Sequence, residues 1–158
     1  MFNQEEIQNI KDVIAEFFRE ADYEVQIKNI SSGEDNETEV LDINLDSPDA
    51  QVLIGKQGLV LSDIQMLLRK IIKKRMGREL FLNLDIDSYK KKKEDYLRDL
   101  AEDTADEVLA SGREKEILLP SPFDRRVVHL ELAKRANIIV ESVGEGEERR
   151  IVIKPKNI

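Results

Sequence analysis

The spacing of hydrophobic residues in the first half of the chain alternates between that of helices and that of strands. Apolar residues three and four positions apart predict amphipathic helices over residues 4–21 and 59–75. Between these helices, a short helical turn starts at Ser47 and ends at Gly55. Alternation of apolar with polar residues predicts three strands, at 25–27, 41–46 and 80–87. The first two strands are predicted to form a hairpin around a turn at residues 31–36, which gives the order α-β-β-α-α-β.

The pattern changes after residue 87. Ser88 is predicted to open a long helix that ends before Gly112, and residues 117–119 are predicted to form a strand. A last hairpin is predicted from two apolar stretches, residues 138–143 and 151–154, on either side of a glycine-containing turn. Together with the first half, these elements predict an α+β fold.

Another helix is predicted to begin at Ser121. The serine occupies the N-cap position, Pro122 the first helical position, and Asp124 lies three residues after the cap. The helix is predicted to end near Ala136. Its buried stripe is expected to consist of Phe123, Val127 and Leu130, with Val128 and Leu132 extending it to one side.

Composition excludes several functional classes. The 158 residues contain no cysteine and one histidine, His129, so a thiolate metal site or a cysteine nucleophile is impossible, and neither a metal site nor a cofactor is expected. Carboxylates are numerous, but their spacing gives no general acid/base pair, and we expect no enzyme. No apolar run approaches the length of a membrane span, and the absence of cysteine fits a cytoplasmic protein.

Charge is distributed unevenly along the chain. The overall net charge is −8, but residues 1–47 contain 3 basic and 13 acidic side chains, a net charge of −10. Residues 48–80 contain 7 basic and 3 acidic side chains, a net charge of +4. Because salt screens charges that are more than about 8 Å apart, a bound phosphate responds to the local excess rather than to the total. We therefore expect any nucleic-acid contact to lie in this segment, residues 48–80, called the basic segment below.

The basic segment contains a glycine loop, Gly55-Lys56-Gln57-Gly58, between two predicted helices. Two glycines allow a phosphate backbone to approach closely, and the following helix directs its positive end toward the loop. Lys56 is expected to neutralise a phosphate and Gln57 to donate a hydrogen bond to one. Bases are expected beside the loop, in an apolar groove formed by Val52, Ile54, Val60 and Ile64.

Two further groups of basic residues have alternative interpretations. Arg69, Lys70 and Lys73 lie opposite the apolar stripe of the helix that follows the loop, and are either RNA contacts or a solvated face. Lys74, Arg75 and Arg78 extend the same region. The run Lys90–Lys93 opposes the dipole at the start of its helix, which suggests a second phosphate-binding surface, although a solubilising face explains it equally well.

Arg125 and His129 are four residues apart and therefore share one face of the helix that begins at Ser121. The arginine is expected to contact phosphate, and the histidine to stack on a base or to hydrogen-bond a phosphate, with Arg126 contributing. A lone histidine is more often structural than functional, and it is the pairing with arginine together with a family resemblance that favours nucleic-acid contact here.

The chain resembles two known nucleic-acid-binding modules. The order α-β-β-α-α-β, with Gly55-Lys56-Gln57-Gly58 between its helices, resembles a type II KH domain and implies that residues 1–87 form one. The segment Arg125-Arg126-Val127-Val128-His129 resembles the motif of the Arg-x-x-x-His domain and implies that residues 88–158 form that small domain. This combination is similar to the Jag/KhpB family of bacterial RNA-binding proteins, in a short form that lacks the N-terminal Jag domain.

The resemblance implies a non-catalytic function. It implies a cytoplasmic single-stranded RNA-binding protein that acts as a post-transcriptional regulator or RNA chaperone linked to cell shape, with a small stand-alone KH protein as a partner. The implied RNA-binding residues are Ile54, Gly55, Lys56, Gln57, Gly58, Arg69, Lys70 and Lys73 in the first domain and Arg125, Arg126 and His129 in the second. Two alternatives use the same sequence: a protein-interaction adaptor, for example on the ribosome, and a single-stranded DNA binder.

Overall fold

The computed structural model describes residues 1–157 and divides the chain into two units, one over Met1–Lys90 and the other beginning at Lys91. In chain order, the first unit contains α1 (Gln4–Glu20), β1 (Gln26–Asp35), β2 (Thr38–Asp46), α2 (Ala50–Ile54), a 3₁₀ turn (Lys56–Gly58), α3 (Leu59–Met76) and β3 (Phe81–Ile86). The structure confirms the order of elements predicted for this half of the chain.

The sheet of the first unit has the strand order β1-β2-β3. β1 and β2 are antiparallel, and β2 and β3 are parallel, with Ile43 opposite Leu84. Every second residue of β3 is buried, as the alternation predicts for a strand with one face on the core. α1 and α3 bury their apolar stripes in the same core, which includes Ile14, Phe18 and Leu68.

The hairpin turn is much tighter than the sequence predicts. Residues 31–35, interpreted as turn because of their serine, glycine and acidic composition, continue β1, and Gly33 pairs with Val40. Only Asn36 and Glu37 form the turn, with φ of 47° and 66°. Two consecutive residues with positive φ give a turn whose twist matches that of the paired strands, so the ladder extends to both ends of the turn.

The second unit contains its own sheet and core. Its elements are α4 (Tyr89–Ser111, whose first two residues belong to the first unit), β4 (Lys115–Leu118), α5 (Pro122–Leu132), β5 (Ile138–Val143) and β6 (Arg150–Pro155). β6 is the central strand, antiparallel to both β4 and β5, so the predicted last hairpin is present. Leu97, Ala101 and Val108 of α4 pack into this core.

α5 begins as predicted but buries a different face. The Ser121 side chain accepts a hydrogen bond from the Asp124 amide, and Pro122 opens the helix. The helix ends at Leu132, four residues before the predicted end. Its buried residues are Asp124, Val127, Val128 and Leu132, whereas Phe123 and Leu130 are exposed. The predicted stripe is therefore wrong in two of its three members.

The described residues contain no helix that is long and apolar enough to span a bilayer.

Candidate nucleic-acid interface

The glycine loop connects α2 to α3 through a backbone that favours glycine. Gly55 has φ 71° and ψ −176°, Gln57 has φ 54° and ψ 25°, and Gly58 has φ 78° and ψ 15°. The amide of Gly58 donates to the carbonyl oxygen of Gly55 at 3.3 Å, and the amide of Leu59 donates to Lys56. Three of the four loop residues thus have positive φ. At Gln57 and Gly58 the backbone is left-handed, a conformation that costs about 1–2 kcal/mol for a residue with a Cβ.

Close packing around the loop also requires glycine at both positions. A Cβ on Gly55 would lie 2.3 Å from the Val60 Cγ2 atom, and a Cβ on Gly58 would lie 2.9 Å from the Cε1 atom of Tyr89. Both separations are shorter than a carbon–carbon contact permits. The loop is therefore held between the first turn of α3 and the first residue of α4.

The side chains at the centre of the loop face solvent. Lys56 and Gln57 are exposed, and Lys56 makes no ion pair or hydrogen bond within the part of the chain that the structure describes. Because the amides of Gly58 and Leu59 are bonded within the turn, an anion at the loop depends chiefly on these two side chains and on the approach that the glycines permit.

Apolar side chains flank the loop on both sides. Val52 and Leu59 are 59% and 64% exposed, Val60 is also exposed, and Ile54 is half-buried. Ile64, predicted to line the groove, is instead buried in the core, because it belongs to the apolar stripe of α3. Leu59 was not predicted as part of the groove, although its position directly after Gly58 indicated that it lies beside the loop.

The three basic residues predicted on α3 differ in their contacts. The Arg69 Nε atom donates to the carbonyl oxygen of Leu80 at 3.1 Å, and its guanidinium lies over the Phe81 ring. Lys73 forms an ion pair with Glu79, whose pKa is lowered chiefly by the hydrogen bond from Lys73. Lys70 is exposed and has no partner among the described residues. Of the three, only Lys70 is available to a ligand without breaking an existing contact.

Two further basic residues of this segment, Arg75 and Arg78, are paired with acidic residues that are distant in sequence. Arg75 contacts Glu16 at 3.3 Å. Arg78 contacts Glu6 at 3.4 Å and Glu39 at 3.1 Å. The positive charge of the basic segment therefore cannot be assigned in full to a ligand surface.

The lysine run at the start of α4 is not a uniform solvated face. Lys90 is half-buried, and its Nζ atom donates to Gln65 Oε1 at 2.8 Å and to Asn83 Oδ1 at 2.7 Å. Burial lowers the pKa of Lys90, and the charge of Asp85 partly opposes this effect. In the second unit, Lys93 contacts the buried Asp124 at 3.1 Å. At least these two lysines therefore have structural contacts.

Arg125 and His129 lie on one side of α5, and both have protein partners. The Arg125 Nη1 atom donates to the carbonyl oxygens of Leu119 and Pro120, at 2.8 and 2.7 Å. The His129 Nε2 atom lies 2.8 Å from Ser142 Oγ on β5. Burial lowers the pKa of His129, and the positive charge of Arg125 lowers it further. The neutral imidazole is therefore favoured at neutral pH.

Arg126 differs from its neighbour. It is exposed and makes no hydrogen bond or ion pair among residues 1–157. The other basic residues near this unit's last hairpin are engaged: Arg150 contacts Glu116, Lys154 contacts Glu141, and Arg149 donates to the carbonyl oxygen of Gly144. Sequence reasoning gave Arg126 a supporting role, whereas the geometry leaves it freer than Arg125 to bind an anion.

The described residues contain no cluster of three or more histidine or carboxylate side chains arranged to hold a metal ion.

Comparison with known proteins identifies the class of the second unit and then the family that the chain resembles. The family of the Arg-x-x-x-His domain matches residues 95–155, which include Arg125 and His129. Three relatives share the name RNA-binding protein KhpB. The protein of Clostridium symbiosum is 27% identical over 150 residues, that of Lactiplantibacillus plantarum 33% over 113, and that of Bacillus subtilis 31% over 109. These matches confirm the resemblance to the KhpB family that the sequence predicts.

The matches differ in how much of each protein they cover. The match to the Clostridium symbiosum protein covers 94% of this chain and 68% of that protein. The other two cover 70% and 68% of this chain, but only 34% and 52% of the proteins from Lactiplantibacillus plantarum and Bacillus subtilis. The chain thus spans between about a third and about two thirds of the length of these relatives.

Proposed function

We propose that this protein binds single-stranded RNA and catalyses no reaction. The observation that carries the proposal is the glycine loop, whose two glycines are required by positive φ and by the packing of Val60 and Tyr89 while Lys56 remains exposed and unpaired. A connection whose only role is to join two helices does not need this combination. The name RNA-binding protein, shared by the three relatives, supports the same function.

The proposal assigns residues 1–87 to a type II KH domain and residues 88–158 to the Arg-x-x-x-His domain. The element order α-β-β-α-α-β, the parallel pairing of β2 with β3 and the loop between two helices support the first assignment. The match of the Arg-x-x-x-His domain family to residues 95–155 supports the second.

At the first site, the RNA backbone passes over Gly55 and Gly58, and Lys56 and Gln57 bind its phosphates. Bases lie against the apolar side chains that flank the loop: Val52, Ile54, Leu59 and Val60. Lys70 adds a phosphate contact. Arg69 and Lys73 support this surface through their contacts with β3 and Glu79, and contribute positive charge rather than direct hydrogen bonds.

At the second site, Arg126 binds phosphate directly, while Arg125 shapes the start of α5 through its two carbonyl contacts. His129, held by Ser142, presents a neutral ring that stacks on a base or accepts a hydrogen bond. Two weak sites on one chain raise the effective concentration of RNA at each other, so their combined affinity exceeds that of either.

The wider role proposed here is that of a cytoplasmic post-transcriptional regulator or RNA chaperone, linked to cell shape, with a small stand-alone KH protein as a partner. These statements rest on the resemblance to the KhpB family and not on a contact in the structure.

The test is fluorescence anisotropy of a labelled, mixed-sequence single-stranded RNA over a salt series. Lys56→Asp/Gln57→Asp removes both exposed side chains of the loop, and aspartate tolerates the positive φ at residue 57. The control, Gln4→Asp/Lys11→Asp, makes the same change of charge at exposed positions of α1. A charge-assisted hydrogen bond contributes about 1.5–3 kcal/mol, so the loop variant should bind about ten- to hundred-fold more weakly and the control should bind like wild type.

The salt series supplies a second criterion. Each phosphate contact with a single strand contributes about 0.7 to the slope of log affinity against log salt, and the loop variant should lose about that much. If wild type does not bind RNA at low salt, the proposal is wrong and a protein-interaction adaptor becomes the better explanation. Equal affinity for DNA of the same sequence would show that the 2′-hydroxyls are not recognised.

A further inference from the structure

The outer face of α5 carries an exposed aromatic residue that the Arg-x-x-x-His motif does not include. Phe123 is 57% exposed and Leu130 is 60% exposed, although both are large apolar residues. At about 100° per residue, Phe123, Arg126 and Leu130 lie within one third of the helix circumference. Val128 and Leu132 are buried on the opposite side. Phe123, Arg126 and Leu130, called the outer face of α5 below, are thus not part of the core.

The charges on α5 favour an anion at this face. The helix has two carboxylates, and both are directed elsewhere: Asp124 is buried against Lys93, and Glu131 contacts Lys134 at 2.9 Å. Arg126 lies one helical turn from both Phe123 and Leu130 and has no partner among the described residues. The outer face therefore combines one free cation with two exposed apolar side chains and no exposed carboxylate of its own helix.

We infer that Phe123 is a stacking platform for an unpaired base of single-stranded RNA, with Arg126 binding the adjoining phosphate and Leu130 extending the apolar contact. Stacking on an aromatic ring is available only to bases that are not enclosed in a duplex, and a neighbouring cation compensates the backbone charge. The inference rests on the proposed function, and adds to it a residue that contacts a base.

The size of the outer face argues against a protein partner. A stable protein–protein interface buries about 800 Å² on each partner, usually around several apolar anchors. Two apolar side chains on an 11-residue helix provide only a fraction of that area. One aromatic ring is, however, sufficient for one base, which matches the dimensions of this face.

The chain contains no tryptophan, so Phe123→Trp creates a single fluorescent reporter at the face. Stacking of a base on the indole should quench its fluorescence when a short mixed-sequence single-stranded RNA is added. The control is Tyr96→Trp, which places the same reporter at a 64% exposed aromatic position of α4 in the same unit. We expect saturable quenching at residue 123 and little at residue 96.

Affinity provides the second readout. By anisotropy, Phe123→Ala should weaken RNA binding about five- to hundred-fold, and Phe123→Tyr, which keeps an aromatic ring, should restore most of the loss. Tyr96→Ala should have no effect. Because Phe123 is exposed, circular dichroism and urea unfolding should show that all these variants fold as wild type does.

The outcomes separate this inference from the proposed function. If wild type binds RNA but Phe123→Ala binds equally well and the Phe123→Trp reporter is not quenched, the inference is wrong and the proposed function stands. If wild type does not bind RNA, both are wrong. If sedimentation shows that wild type self-associates and Phe123→Ala does not, the face is an interface between copies of the chain, which also overturns the inference.

Discussion

The packing of Gly58 against Tyr89 gives a prediction that tests how the glycine loop is held. A Cβ at residue 58 would lie 2.9 Å from the Tyr89 ring, in a backbone with φ 78°. The positive φ costs about 1–2 kcal/mol for alanine, and forcing a methyl group into filled space typically costs about 1–3 kcal/mol more. Gly58→Ala should therefore lower the free energy of unfolding of the first unit by about 2–5 kcal/mol.

Gly77 provides the matched control. It follows α3 with φ 68°, but no heavy atom lies within 4 Å of the position that its Cβ would take. Gly77→Ala therefore incurs only the backbone term, about 1–2 kcal/mol. The difference between the two variants isolates the contact with Tyr89 from the cost of the left-handed conformation.

A double-mutant cycle measures that contact directly. In a Tyr89→Ala background the ring is absent, and Gly58→Ala should cost no more than Gly77→Ala, which corresponds to a coupling energy of about 1–3 kcal/mol. The assay is urea unfolding followed by far-UV circular dichroism. A Leu82→Ala variant, which disrupts the core of the first unit alone, identifies the transition that belongs to that unit.

If Gly58→Ala costs the same with and without the Tyr89 ring, the loop is not held by this contact. Its second glycine would then be required by backbone conformation alone.

Three further predictions concern the two candidate surfaces. The NMR signals of His129, the chain's only histidine, should titrate with a midpoint below 6.5, because burial and Arg125 both disfavour its charged form, and Arg125→Gln should raise that midpoint. Since the folded pKa of His129 is lowered, its contribution to stability is present above about pH 6.5 and is lost as the pH falls through the folded pKa. Arg125→Ala should lower the free energy of unfolding by about 1.5–3 kcal/mol, because it loses two hydrogen bonds to backbone carbonyls. Arg126→Ala should change the free energy of unfolding by less than about 0.5 kcal/mol and should weaken RNA binding instead, and equal effects of the two variants on stability would contradict these assignments. Lys90→Met should cost about 1–3 kcal/mol in urea unfolding, because it leaves the Asn83 amide oxygen without its donor, and an unchanged midpoint would show that the lysine contacts are not structural.

Some features of the site could be predicted because the signal is local. The loop Gly55–Gly58 lies between two periodic apolar segments, and both the glycines and the helix start after them follow from neighbouring residues. The N-cap at Ser121 is equally local, since it depends on residues no more than three positions apart. The turn at residues 31–36 was predicted from composition alone, and pairing with β2 overrode that preference in all but one of those residues, Asn36.

The buried face of α5 could not be predicted in the same way. Its apolar residues occupy two sides of a short helix. Phe123 and Val127 are four residues apart, and so are Val128 and Leu132, so both pairs have helical spacing. The neighbouring sheet and α4 decide which side is buried, and they cover Val128 and Leu132. The exposed aromatic residue of the outer face is therefore visible only in the folded unit.

Periodicity and motifs a few residues long were sufficient to predict the order of the elements, the α+β class, the position of the glycine loop and the family resemblance. Which charges are available to a ligand, in contrast, depends on the folded structure. Arg78 is paired with Glu6 and Glu39, and Lys90 with Gln65 and Asn83, through contacts that join distant parts of the chain. A side chain is free to bind a phosphate only if no such partner lies within reach, and that distance is a property of the fold.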